Sequence, residues 1–247
     1  MPSFIIYNGP SLLDGSPIVV VAGYSKRNRK TGGMIQTYIL RADMDPVTAN
    51  RTGADIAICG NCPLRGTPHD GAKGQAKNRG CYVTLIHGPA SVYRTFAAGK
   101  YPIAAGHAAI AAIGAGRMVR VGTYGDGAAV PSYIWDSLCS QAEGWTAYTH
   151  QTAWAGAAAD PARYMVSVQD AASAGAAWEA GARTFRVVAS IADLVKGKEI
   201  LCPASEEAGK RTTCQACKLC SGSTSKAKSI AIVAHGASAK SARLVIA

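Results

Sequence analysis

Seven of the eight cysteines fall into two tight groups, Cys59, Cys62 and Cys81 in one and Cys202, Cys214, Cys217 and Cys220 in the other, with Cys139 alone between them. Thiolates are the soft ligands that zinc and iron-sulfur clusters select, and thiols two residues apart reach one centre without backbone strain. The chemistry these residues can do is therefore metal chemistry. The first group is a C-x2-C pair followed by Cys81 after 18 intervening residues. Three thiolates leave one coordination place, which reads in three ways: water or substrate on catalytic zinc, His69 or Cys139 completing structural zinc, or a [4Fe-4S] cluster with one open iron. The second group, C-x11-C-x2-C-x2-C, supplies a full shell for tetrahedral zinc or a cubane cluster. Its spacing favours iron-sulfur, because paired zinc ribbons use two separate C-x2-C knuckles, an arrangement this group lacks. Lys210, Arg211 and Lys218 lie among these cysteines, where they offset the negative charge of a thiolate-bound centre. Cys139, in the helical "IWDSLCSQA", reads as a small buried residue.

The elements that must carry these ligands are legible in outline. Residues 1–50 hold the β-rich runs "SFIIY", "SPIVVVAGYS" and "MIQTYILRA" separated by turn-forming segments, so an antiparallel β segment is expected there. Residues 51–247 alternate short apolar runs with Ala-rich helical stretches. "CYVTLIH", "MVRVGTYGD", "GWTAYTHQ", "RYMVSVQD", "RTFRVVAS" and "SIAIVAHG" read as strands, and "PASVYRTFAAG", "PIAAGHAAIAAIGAG", "PSYIWDSLCSQAEG" and "AASAGAAWEAG" read as helices. The expected fold is α/β: a partial (βα) barrel or open parallel sheet, with a Cys-rich metal-binding insertion at 202–221, in one compact unit. Ligands in such folds sit at the carboxyl ends of the strands. Gly122, Tyr124, Gly125, Asp126, His150, Gln169 and His235 stand at those ends and are the pocket candidates. The bland readings are a turn and helix cap for Gly125 and Asp126, and sheet-edge hydrogen bonding for His150 and His235.

Composition narrows the function classes. The 247 residues suffice for a large core, and neither a membrane-spanning run nor a signal-peptide pattern is read, so a cytoplasmic location is expected. In a reducing compartment clustered thiols are metal or redox groups rather than disulfides. The formal charge of +11 suits a surface for nucleic acid, phosphate or a host protein. The basic run "KRNRKTGG", with Lys26, Arg27, Arg29 and Lys30, reads first as a solvated hairpin tip, since no aromatic residue interleaves with it. Dinucleotide, Walker, nucleophile-elbow and metalloprotease motifs are missing, which leaves hydrolytic readings without support.

The segments "NGPSLLDGSPIVVVAG", "KTGGMIQTYILRAD", "ICGNCPLRG", "GCYV", "RVGTYGDGAAVP", "YTHQ" and "LCPASEEAGKRTTCQACKLC" together resemble a family of bacteriophage and prophage proteins over nearly the whole chain. In layout the chain is also similar to degenerate relatives of radical S-adenosylmethionine enzymes. That likeness implies a [4Fe-4S] cluster on Cys59, Cys62 and Cys81 with S-adenosylmethionine at its open iron, "GTYGD" beside the methionyl part, and an auxiliary centre on the second group. Those enzymes carry C-x3-C-x2-C in one loop, from which this chain departs through the distant Cys81. The leading expectation is a phage-derived iron-sulfur protein acting on a nucleotide or macromolecule in the cytoplasm of its bacterial host. A reading of another class is a zinc-stabilised accessory protein that binds nucleic acid or a host protein without catalysis.

Overall fold

The computed structural model describes residues 2–24, 28–151, 160–224 and 226–246. Strands β1 (Phe4–Pro10), β2 (Pro17–Tyr24), β3 (Ile35–Arg41), β4 (Met118–Tyr124) and β5 (Gly144–Thr146) form one sheet in that order. Its β1–β2 and β2–β3 pairs are antiparallel, and its β3–β4 and β4–β5 pairs are parallel. Strands β6 (Tyr148–Thr149), β7 (Met165–Val168), β8 (Thr184–Val188), β9 (Glu199–Leu201) and β10 (Ser229–Val233) form a second, wholly parallel sheet in the order β6-β7-β8-β10-β9. The helices among the described residues are α1 (Pro46–Thr52), α2 (Ile56–Cys59), α3 (Gly88–Ala97), α4 (His107–Gly114), α5 (Ser132–Cys139), α6 (Ala171–Glu179), α7 (Cys214–Cys217) and α8 (Ala239–Ile246). None is long and apolar enough to cross a membrane.

The antiparallel start and the later parallel βα pattern follow the sequence expectation. The strands are divided between two sheets, and no closed barrel is seen among the described residues. The apolar run of β2 explains its central place: Ile18 to Ala22 are all buried, as a strand covered on both faces requires. β3 then continues by parallel pairing into β4, so the N-terminal β segment and the later chain share one sheet. Helices α4 and α5 pack against each other beside it, and a Cβ at Gly114 would lie 1.9 Å from the Leu138 carbonyl oxygen, so only glycine permits that approach.

"GWTAYTHQ" does not make a single strand. It serves β5 in the first sheet and β6 in the second, with buried Ala147 between them. Ala147 donates to the Cys220 carbonyl at 3.2 Å and accepts from the Met165 N–H at 3.1 Å, so its backbone stays paired where the strand changes sheets.

One segment differs from expectation in its secondary structure. "CYVTLIH" is a turn-rich segment and not a strand. The Arg79 guanidinium donates to the carbonyls of Cys81 at 3.0 Å and Val83 at 2.8 Å, taking the acceptors a ladder would have used. The apolar run before Cys59 is the short helix α2. The basic hairpin tip also departs from the solvated reading. Lys26 and Arg27 lie outside the described residues, and Arg29 is exposed, but Lys30 is half-buried and Thr31 fully buried against the second cysteine group.

Candidate metal centres and their shared cavity

The first cysteine group rides on a loop tied by one arginine. Arg65 donates to the buried Asp55 carboxylate at 2.5 and 3.0 Å, to the Gly60 carbonyl at 3.0 Å and to the Gly53 carbonyl at 2.8 Å. Asn50 adds a bond to the other Asp55 oxygen at 2.7 Å. The chain between Cys59 and Cys62 is thereby fixed as α2 ends. Gly60 has φ +50°, and a Cβ there would lie 2.3 Å from Gln151 Oε1, so the turn demands glycine. Cys81 comes alongside because the Gly80 and Cys81 N–H groups both donate to the Leu64 carbonyl, at 3.1 and 3.0 Å.

The second group is held by another arginine and by the N-terminal hairpin. Arg183 donates to the carbonyls of Gly222, Leu219 and Lys228, each at 2.8 Å. The N–H groups of Cys214 and Gln215 donate to the carbonyls of Lys30 and Thr31 at 3.0 Å, and Gly33 N–H donates to Gln215 Oε1 at 2.8 Å. Cys202 N–H donates to the Ala231 carbonyl at 2.8 Å, which places it at the carboxyl end of β9.

All seven grouped cysteines line one cavity of about 260 Å³. A single water occupies roughly 10–15 Å³ by this kind of measure, so the space admits a small organic ligand. The same cavity is lined by every pocket candidate: Gly122, Tyr124, Gly125, Asp126, His150, Gln169 and His235. β4 reaches the cavity through Arg120, Gly122, Thr123 and Tyr124, where its pairing with β3 is irregular and Gly122 has φ +70°, while Tyr148, Phe185, Val187, Ile230 and Ile232 supply an apolar floor from the second sheet. The Tyr148 and Phe185 rings meet at 4.5 Å.

Asp126 does the work that the bland reading gave it, and more. Its Oδ1 accepts from the Ala128 N–H at 3.0 Å, capping the 3-10 turn Gly127–Ala129. Its Oδ2 accepts from Thr149 Oγ1 at 3.1 Å, the His150 N–H at 2.8 Å and Gln151 Nε2 at 3.3 Å. Gln151 also donates to the Cys59 carbonyl at 3.2 Å, so the end of β6 and the first cysteine loop form one network. His150 Nε2 lies 3.8 Å from Cys62 Sγ. Burial pushes the His150 pKa below its ordinary value, against the pull of Asp126.

His235 is exposed, its Nδ1 against the Val233 carbonyl at 2.8 Å and its Nε2 3.4 Å from Lys30 Nζ. Two other residues named for the first centre stand elsewhere. His69 is occupied within its own loop, with the Gly71 N–H at 3.1 Å and the Gln75 carbonyl at 3.0 Å. Cys139 packs against the core of the first sheet, where burial pushes its thiol up to about 12.

Burial is the first influence on most of the grouped thiols. Burial raises the pKa of Cys59, and Asp55, Cys62 and Cys81 raise it further; burial and Cys81 do the same for Cys62. Burial also raises Cys202 and Cys214, and carries Cys220 up to about 12. Each group is thus a set of neighbouring thiols whose anions would repel one another, a cost that a bound cation would offset. Among the described residues, no three or more His, Cys, Asp or Glu side chains form a preassembled ligand set for a metal ion. The thiols would have to turn toward a common point on binding.

Lys30, Arg120 and Tyr82 are cavity residues that motif reading missed. Arg120 lies 5.8 Å over the Tyr82 ring and also donates to its hydroxyl, while Tyr82 itself is 56% exposed at the cavity rim. The available signal was a charged residue inside the apolar run "MVRVGTY", since a strand buries an arginine only for a partner or a ligand. Among the described residues neither Arg120 nor Lys30 enters an ion pair. Comparison of the chain with protein-family models, curated proteins and solved structures gave no match.

Proposed function

We propose that this chain is a phage-derived metal-thiolate protein with two cysteine-ligated centres on one cavity, in which a small ligand is brought against metal. The observation that carries the reading is the gathering of all seven grouped cysteines around a single cavity. Purely structural zinc sites are closed knots with no need of a cavity beside them, whereas reactive centres need space and shielding from water. Cys202, Cys214, Cys217 and Cys220 would hold a [4Fe-4S] cluster, and Cys59, Cys62 and Cys81 the second centre. When bound, a reduced cluster supplies single electrons to a ligand nearby. The residues of this chain would do the rest. Arg120 and Lys30 would bind an anionic group, Tyr148 and Phe185 would pack an apolar portion, and the sheet face would keep water out.

The likeness to radical S-adenosylmethionine enzymes adds that molecule as a candidate ligand and a nucleotide or macromolecule as a candidate substrate. Anaerobic purification tests the reading. A brown protein with broad absorption in the blue and stoichiometric iron and sulfide is expected. A colourless protein that holds only zinc at the four-thiolate group would overturn it and favour the accessory binding protein. Cys217→Ser should remove the cluster while leaving metal at the first group; loss of both from a folded variant would mean that the groups share one site.

A further inference from the structure

We infer that His150 is the fourth protein ligand of the first centre, so that Cys59, Cys62, Cys81 and His150 form a Cys3His site for a single tetrahedral ion, zinc by preference. This rests on the reading of the three thiols as ligands, and it fills the place which the enzyme likeness leaves to S-adenosylmethionine.

The distance is the first support. A thiolate at about 2.3 Å and an imidazole nitrogen at about 2.0–2.1 Å on one tetrahedral ion stand about 3.6 Å apart. Cys62 Sγ and His150 Nε2 are 3.8 Å apart, close to that edge. Ligands on different irons of a cubane are held further apart, because the metal atoms themselves are separated. These two side chains already stand near the spacing one ion requires, while Cys59 and Cys81, which line the same cavity but form no ready ligand set with them among the described residues, would have to turn in on binding.

Elimination is the second. Asp126 faces the site, but both its carboxylate oxygens are already engaged, by Ala128 on one side and by Thr149, His150 and Gln151 on the other. The other cavity histidine, His235, is engaged with Val233 and Lys30 beside the second group. His69 and Cys139 stand off the cavity wall.

Support from surrounding structure is the third. The His150 backbone is fixed to Asp126, whose own N–H donates to the Ile58 carbonyl at 2.6 Å, one residue before Cys59. Gln151 closes the circuit onto the Cys59 carbonyl. A ligand and the loop that bears its partner ligands are thus held by one set of hydrogen bonds, the kind of outer support that metal sites depend on.

The test uses full-length protein purified anaerobically, with metal analysis and X-ray absorption at the zinc edge, probing with zinc alone. The expected spectrum has sulfur at about 2.3 Å and nitrogen at about 2.0–2.1 Å. His150→Ala should lose the nitrogen contribution and weaken zinc binding by at least the roughly 10–100-fold that loss of an outer-shell partner costs. His150→Cys should keep the zinc with sulfur alone, and it serves as the readout if the alanine variant does not fold. A nitrogen contribution that survives in either variant overturns the inference. So does a first centre that holds iron and sulfide, lost in Cys59→Ser, with no single ion; the metal-thiolate reading would survive that result. Absence of any bound metal in the parent protein overturns both.

Discussion

The two cysteine groups face one cavity but are built in opposite ways. The first lies on a loop whose staple, Arg65, is neutralised by the buried carboxylate of Asp55, and its third cysteine is fixed through the Leu64 carbonyl. The second is stapled by Arg183, which bonds only to neutral carbonyls and leaves its Nε without a partner among the described residues. A charge-balanced staple can be complete before metal arrives. An unbalanced one gains from the negative charge that four thiolates bring, so the second group is the one whose local structure and metal occupancy should be tied together.

That contrast can be broken or sharpened by experiment. The largest effect is expected for Asp55→Ala, which leaves the Arg65 charge buried and unpaired; unfolding in denaturant should show a loss of about 3–5 kcal/mol with or without metal. Arg183→Gln should cost about 1.5–3 kcal/mol by the same measurement, with a larger deficit in the metal-loaded protein than in the stripped one. Equal deficits in both states would remove the distinction between the staples. Asp126→Asn keeps the shape of the side chain but weakens its hold on His150; zinc competition should show about 10–100-fold weaker retention at the first group and no change at the second.

The smallest effect belongs to a helix cap that bonds to neither cysteine group. Asp170 caps α6 through the Ser173 N–H at 2.7 Å and its hydroxyl at 2.8 Å, and these bonds lower its pKa. Asp170→Ala should cost about 1 kcal/mol at neutral pH. Because the folded pKa lies below the unfolded value of about 3.9, that difference should be fully present above pH 3.9 and fade as the pH falls through the folded pKa. Metal content should not change.

The sequence carried the element types well where hydrophobic pattern and turn chemistry agreed. β2, β4, β8, β10 and α6 lie where apolar runs and Ala-rich stretches put them. It failed at "CYVTLIH", because a guanidinium from Arg79 satisfies carbonyls that the residue types alone assign to a ladder. It passed over β9, whose three residues begin with Glu199, because the partner that makes a buried glutamate tolerable there is Arg186, 13 residues away, at 2.7 Å. The strand-end residues named from the sequence reach one cavity for a simpler reason: parallel strands deliver their carboxyl ends to one side. The placement of Lys30 and Arg120 on that cavity was not legible, since no local pattern tells a solvated basic turn from one folded back over a cavity.

The bond from Gly33 to Gln215 joins residues 182 positions apart. Closing a loop of that size forfeits chain entropy well before the contact contributes anything, which places it among the slow steps of folding. The N-terminal hairpin is synthesised first and must wait, already paired, for its distant counterpart. Loading of the second group with metal would then be a closing event, and a chain starved of metal should accumulate with its first sheet assembled and residues 202–220 accessible to a protease.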